Sequence, residues 1–236
     1  MAWDPIRGRG RPPKDHRLMV EAMVYVLRTG CPWRDLPSLY GSWSSVYTRW
    51  RRWCQSGLWA RVLSALARHA RGALRFLDAS HIKVHQDASN PPGGQQNQAI
   101  GRTKGGLNTK LTAWVDGAGR VVQVALTPGQ RADVRAVTEA AWPRGLRGKT
   151  VVADKGYDSA AFRTALRRRG SRSCVPARRG ARQPAWWHRG YYRHRHKVEN
   201  FFQRAKRYRR IGTRYEKCDR YFLGFVHLAA ILDWLK

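Results

Sequence analysis

The stretch Lys149–Asp158, KTVVADKGYD, decides how the rest of the chain is read. Thr150, Val151, Val152 and Ala153 form a short apolar run rich in β-branched residues, the pattern of a buried strand. Asp154 then stands where that strand should end. The chain carries 46 Lys plus Arg and only 15 Asp plus Glu. An acid spent at the end of a buried strand therefore needs a reason. Left without a partner, a partly buried carboxylate costs several kcal/mol unless something cationic meets it.

With so few acids, each can be questioned in turn. Asp4, Asp15, Asp87, Asp219 and Asp233 fall in polar or terminal settings, and Asp116 precedes a glycine in a hairpin turn. Asp133 and Asp158 open helices, where a carboxylate satisfies free backbone N–H groups. Asp35 lies in a turn-rich connection, and Glu21, Glu139 and Glu216 read as surface residues. Three acids remain: Asp78 after LRFL, Asp154 after TVVA, and Glu199 within YYRHRHKVENFFQRAKRYRR. If that last segment is one continuous helix, Tyr192, Arg195, Glu199 and Lys206 fall within an arc of roughly 60°. Val198, Phe201 and Ala205 then point to a separate apolar side. The bland alternative is a run of solvated charges paired at helical spacing.

Three carboxylates, two at strand ends and one on a helix, can gather divalent cations. Hard oxygen ligands suit Mg²⁺, with Mn²⁺ as its substitute. Two such ions would flank an in-line displacement at phosphorus, one at the attacking and one at the leaving oxygen. Lys155, beside Asp154, is then within reach of a phosphate.

The whole chain is consistent with that chemistry. Its 236 residues are 42% hydrophobic, enough for a sizeable core, and its formal charge is +31. Such a surface expects a polyanion, with nucleic acid ahead of an anionic membrane. No run of about 20 apolar residues is present to span a bilayer, and the N-terminus has no signal-peptide core. Cys31, Cys54, Cys174 and Cys218 form no CxxC pair, which fits reduced thiols in a cytoplasmic protein.

Two units are expected. Residues 1–72 hold a basic arm, RGRGRPPKD, with Arg9 and Arg11, followed by helices. The arm can lie along phosphates or be only a solvated tail. Asp15 caps the first helix and Gly30 stops it; one or two further helices follow from Trp43. Trp43, Val46, Tyr47, Trp50 and Trp53 form an aromatic stripe that is mostly core. Arg49, Arg51 and Arg52 between them are the DNA-contact candidates of a helix-turn-helix-like unit. Residues 73–236 read as a strand, a polar loop (NPPGGQQNQAIGRTKGG), a hairpin at Asp116–Gly117, then helix, strand, helix, strand and two helices. That order gives an α/β unit, a mixed sheet covered by helices.

These residues also carry a resemblance. The stretches LRTGCPWRDLP, GSWSSVYTRWRRW, SGLW, LDASHIKVHQ, AIGRTKGGLNTKL, LTPGQRAD, ADKGYDS and KVENFFQRAKRYRRIGTRYEK run over nearly the whole chain. They resemble bacterial insertion-sequence transposases of the DDE class, in the IS-five group of the IS-four superfamily. The superfamily's Tyr-x2-Arg-x3-Glu-x6-Lys signature is met by Tyr192, Arg195, Glu199 and Lys206. The resemblance implies an RNase H-like catalytic domain with Asp78 on its first strand, Asp154 at its fourth and Glu199 on a late helix. It implies metal-dependent hydrolysis at the transposon ends, then attack of the freed 3′-OH on target DNA. Arg195 and Lys206 would bind phosphates near the cut, and Tyr192 would position the backbone or a base. Lys104, inside one matching stretch, joins the DNA-contact candidates. The N-terminal helices would bind the terminal inverted repeats of double-stranded DNA, and joining two ends implies a homodimer or larger assembly on DNA. Two departures stand out. The segment from Val175 to Tyr191 leaves no room for the strand-rich insertion some members carry, and the chain begins close to the first matching helix, as a truncated or alternative start would leave it.

Three rival readings differ in class. One is an RNase H-like nuclease that cuts without joining, and another is a former transposase kept as a DNA-binding regulator. A third is a zinc site drawing on His81 and His85 or on Cys174, His188, His194 and His196.

Overall fold

The computed structural model describes residues 15–139, 142–178, 180 and 186–236. Arg9 and Arg11 lie outside the described residues. The centre of the molecule is β1 (Leu74–Val84). Antiparallel to it runs β3 (Gly106–Val115), and β4 (Val121–Pro128) continues antiparallel from β3. On the other edge of β1 lies β5 (Thr150–Ala153), parallel to it, followed by the parallel β6 (Arg172–Cys174). The spatial order is therefore β4-β3-β1-β5-β6, an RNase H-like mixed sheet with helices on both faces.

Local chemistry explains the joints. The β3–β4 hairpin turns on Asp116, whose carboxylate accepts the N–H groups of Arg71, Ala118 and Arg120, with Gly119 at φ 84° completing the turn. The polar loop expected before β3 is more ordered than its composition implies. Within it β2 (Gly101–Thr103) pairs with the start of β3, and Lys104 sits exposed in the tight turn between them.

Alternation along β1 divides the core. Phe76 and Ile82 face one side, with Val152 of β5 and Leu111, Ala113 and Val115 of β3. Leu77 faces the other, with Trp114, Val151 and Ala153, and is covered by α4 (Asp133–Glu139) and α5 (Ala160–Arg168) through Val137, Phe162 and Leu166.

The first face is covered by helices from both ends of the chain. α1 (His16–Thr29) is capped by Asp15, which accepts the Arg17 N–H, and is ended by Gly30 in the left-handed conformation. α2 (Trp43–Gln55) and α3 (Leu58–Ala67) follow. They pack against the last helix, α9 (Asp219–Trp234), where the Trp50 and Phe225 rings stack at 4.2 Å. Gly224 makes this approach possible, because a Cβ there would lie 2.5 Å from the Cys54 sulfur. The aromatic stripe is core at Trp50, which is fully buried, while Trp43, Tyr47 and Trp53 pack around it.

Two expectations change. The segment from Tyr191 to Arg210 is not one helix; it falls across α6 (Arg189–Tyr192), a 3-10 turn at Arg193–Arg195, α7 (His196–Lys206) and α8 (Arg209–Gly212). Glu216 is buried rather than exposed, paired with Arg210 and lying near Arg214. Its charged neighbours in sequence disguise this. Arg214, in β7 (Thr213–Arg214) beside the end of β1, is fully buried and donates to Thr109 Oγ1 and to the carbonyls of Glu216 and Lys217. Among the described residues, no helix is long and apolar enough to cross a membrane.

His227 of α9 is buried, and burial pushes its pKa down to about 4. A base with a depressed folded pKa destabilises as pH falls through the unfolded value, because the unfolded chain takes up the proton first. His227→Gln should therefore flatten the loss of thermal stability between pH 6.5 and about 4, recovering up to roughly 3 kcal/mol at the acid end. Melting curves across that range check it; an unchanged slope would refute it.

Candidate active site

The parallel register of β1 and β5 sets Leu77 opposite Ala153. One residue further on, Asp78 and Asp154 stand side by side. Asp78 shares the parity of Phe76, so its carboxylate points to the face covered by α7. Asp78 lies within β1, the first-strand place the resemblance implies, and not at the strand end suggested by the apolar run LRFL, because β1 runs on to Val84 along β3. Asp154 does follow its strand. It caps a 3-10 turn at Lys155–Tyr157 and accepts the Gly156 N–H at 3.2 Å.

α7 lies over this point because Val198, Phe201, Phe202 and Ala205 bury its apolar side on the sheet. Arg195, at its N-terminal edge, then reaches both acids of interest. Its Nη1 donates to Asp78 Oδ2 at 2.7 Å, and its Nη2 donates to Glu199 Oε1. Lys206, eleven residues on, donates to Ser80 Oγ at 2.7 Å and to the His81 carbonyl at 3.0 Å. Of the stripe predicted from helical spacing, Arg195 and Lys206 therefore reach β1, despite the break in the helix before His196. Tyr192 packs its ring edge-on to Trp187.

Burial raises the Asp78 pKa above its ordinary value, and Asp154 adds repulsion. The Ala79 N–H, 2.8 Å from Oδ1, and the Arg195 guanidinium oppose this without overcoming it. Burial lowers the Lys206 pKa. One residue the sequence did not single out belongs here. Tyr157 is buried, its hydroxyl has no hydrogen-bond partner among the described residues, and burial with the nearby Asp133, Asp78 and Asp154 holds its pKa well above the usual value. Its place in the opening stretch, two residues before the Ser159 cap of α5, was the available signal.

The donor set is suited to a hard divalent cation: two carboxylates at adjacent strand positions, one of them half-desolvated, with a single guanidinium shared between it and a third. Among the described residues, however, no three His, Cys, Asp or Glu side chains gather into a group that could hold a metal by themselves. Arg195 joins Asp78 to Glu199 instead. The zinc reading finds no such group either: among the described residues the histidines and Cys174 do not gather as ligands, and His85 packs on Tyr215 beside Asp87.

The remaining predicted contacts are dispersed. Lys155 is exposed beside Asp154. Arg49 lies over Trp53 and contacts His16, Arg51 donates to the Tyr221 hydroxyl, and Arg52 is exposed. A basic cleft of about 280 Å³ lies between Arg28, Arg204, Arg207, Tyr208 and Lys236.

The Asp78 environment makes a pH prediction. The folded chain holds the Asp78 proton to higher pH than the unfolded chain, so native stability falls as pH rises from the ordinary value of 3.8. Asp78→Asn, lacking that titration, should gain stability relative to the native chain over the same rise, measured by melting in metal-free buffer. A difference independent of pH would refute the burial of charge at Asp78.

Comparison with known proteins bears on the family of the chain. Residues 2–63 match the family model "Putative transposase of IS4/5 family", and residues 151–236 match "Transposase DDE domain". The "Putative transposase for insertion sequence element IS6501" of Brucella ovis is 36% identical over 135 residues, covering 55% of this chain and all of that protein. A 16.2 kDa protein of insertion element IS402 from Burkholderia cepacia is 35% identical over 97 residues, covering 40% of this chain and 63% of that one. Among solved structures, the piggyBac transposase synaptic complex matches 68% of this chain and 45% of its own, at 12% identity and a TM-score of 0.41. The Mos1 transposase paired-end complex matches 98% of this chain and 80% of its own, at 14% identity and a TM-score of 0.31. Those scores are low, and the fold stands on this chain's own strand order. The family matches at both ends of the chain and the full-length Brucella relative settle the kinship: the chain belongs to the IS4/5 family of insertion-sequence transposases.

Proposed function

We propose that this transposase binds the inverted-repeat ends of its element, hydrolyses the phosphodiester there and joins the freed 3′-OH to target DNA by transesterification. Asp78, Asp154 and Glu199 would be its catalytic acids. The single observation that carries this reading is the β1–β5 register, which sets Asp78 beside Asp154 under the helix bearing Glu199.

In this reading Asp78 and Asp154 hold Mg²⁺, and Glu199 completes the site. When bound, a pair of such ions supplies a nucleophilic oxygen and neutralises the leaving one. The protein's own groups do the rest. Ser80 and the His81 carbonyl hold Lys206 over β1, ready to bind a phosphate oxygen. Arg195 neutralises Asp78 and Glu199, and its guanidinium geometry suits bidentate phosphate recognition once those carboxylates are otherwise satisfied. Tyr192, Lys155 and Lys104 would line the strand path.

Residues 1–72 would act as the end-binding unit, with Arg49, Arg51, Arg52 and the arm bearing Arg9 and Arg11 on DNA, and residues 73–236 as the catalytic unit. The excess of 46 basic over 15 acidic residues supports a polyanionic partner. Pairing two ends calls for two copies or more on DNA.

Asp154→Asn should abolish Mg²⁺-dependent cleavage of an end-containing duplex while leaving its binding within about threefold, since amide for carboxylate removes a ligand but little bulk. Retained cleavage would overturn the assignment, and cleavage without joining of a precut end would favour a nuclease. Lys206→Ala should reduce the salt dependence of DNA binding by about one unit of slope. An unchanged slope would remove Lys206 from the phosphate contacts.

A further inference from the structure

Beside the carboxylates lies a surface the proposed chemistry does not use. Trp186, Trp187 and Tyr191 are 55%, 44% and 39% exposed, whereas the other described tryptophans are buried or packed against the core. Large aromatic rings left in water are rare on a folded surface unless something covers them. Trp186 and Tyr191 are near one another, and Trp187, the next residue in the chain, packs on Tyr192. The Trp186 ring meets Tyr191 edge-on at 6.4 Å, and His188 lies 4.6 Å from Tyr191.

The patch is also held in place. Cys174 at the end of β6 accepts the His188 N–H at 3.2 Å, and α6 packs against β5. Trp187 meets Tyr192, three residues before Arg195. A connection of a few residues therefore links the rings to the guanidinium that donates to Asp78. Arg189 and Arg193 are exposed within the same segment.

We propose that Trp186, Trp187 and Tyr191 form a stacking platform for unpaired DNA bases next to the cut. Two physical facts select this occupant. The flanking arginines match a polyanion and oppose a basic partner, including a second copy of this strongly cationic chain. The exposed ring faces offer nothing to an intact duplex, whose base faces are already stacked, but suit bases that have left the stack. The platform thereby favours ends that fray or have been cut. This inference rests on the DNA-acting reading above, and it is tested without any cleavage.

The test measures anisotropy of labelled oligonucleotides with the full chain in buffer without divalent ions. A blunt duplex is compared with the same duplex bearing a short unpaired tail. The native chain should prefer the tailed form, and Trp186→Ala with Trp187→Ala should weaken tailed binding by about tenfold or more while leaving blunt binding unchanged. Trp186→Phe with Trp187→Phe should restore much of the preference, because phenyl rings still stack. Both ring positions are exposed, so an unchanged melting temperature is expected for each variant. An equal loss on both duplexes, no loss on either, or a preference that survives without the rings would overturn the platform. A patch that serves self-association would show as a lower oligomeric state of the alanine variant without DNA, and that result would overturn it too. Loss of cleavage by Asp154→Asn with the preference intact would leave the platform standing independently of the catalytic assignment.

Discussion

The structure depends on one pairing, that of β1 with β5. Two strands distant in sequence run parallel with Leu77 opposite Ala153. Because side chains alternate at a period of two, a slip of one residue would turn Asp78 or Asp154 to the opposite face. The apolar residues on either side prevent that slip. Phe76 and Val152 are fixed in one core, Leu77, Val151 and Ala153 in the other. The site's geometry is thus set by hydrophobic burial, and its acids occupy the positions that burial leaves over.

Charge then has to be managed locally within a molecule of overwhelming positive sign. Asp78 is desolvated and close to Asp154, which by itself disfavours ionisation. Arg195 meets it and Glu199 together. The same economy recurs elsewhere: Lys110 meets Asp133 at 2.5 Å, Arg204 holds Asp233 with two bonds, and the buried Glu216 lies between Arg210 and Arg214. Scarce acids are used as internal counter-ions, and the surplus of arginine is left for the surface.

Much of this was legible in the residues. The strand TVVA, the hairpin at Asp116, the caps Asp15 and Gly30 and the apolar last helix all follow from local pattern, and the structure has them. The elimination that isolated Asp78, Asp154 and Glu199 depended on the rarity of acids, and the fold brings the first two together and links the third through Arg195. What local pattern missed depended on tertiary contact. β2 hides in a Gly- and Gln-rich loop because its pairing comes from β3, not from its own propensity. Glu216 looked exposed because its charged sequence neighbours say nothing of Arg210 folding over it. The 3-10 turn at Arg193–Arg195 was invisible because the spacing of Arg195 and Glu199 is the same with or without it. Tyr157 was passed over because a lone buried tyrosine is ordinary until its neighbours are known.

The close approach at Gly224 has a consequence for how the protein is made. Helix α2, which leaves the ribosome before α9, buries Trp50 and Cys54 against that later helix. Until α9 emerges, a nascent chain leaves the Trp50 indole uncovered, so segments far apart in sequence mature together. Synthesis interrupted short of Asp219 would yield an N-terminal half with an open, adhesive face, a natural substrate for chaperones and proteases.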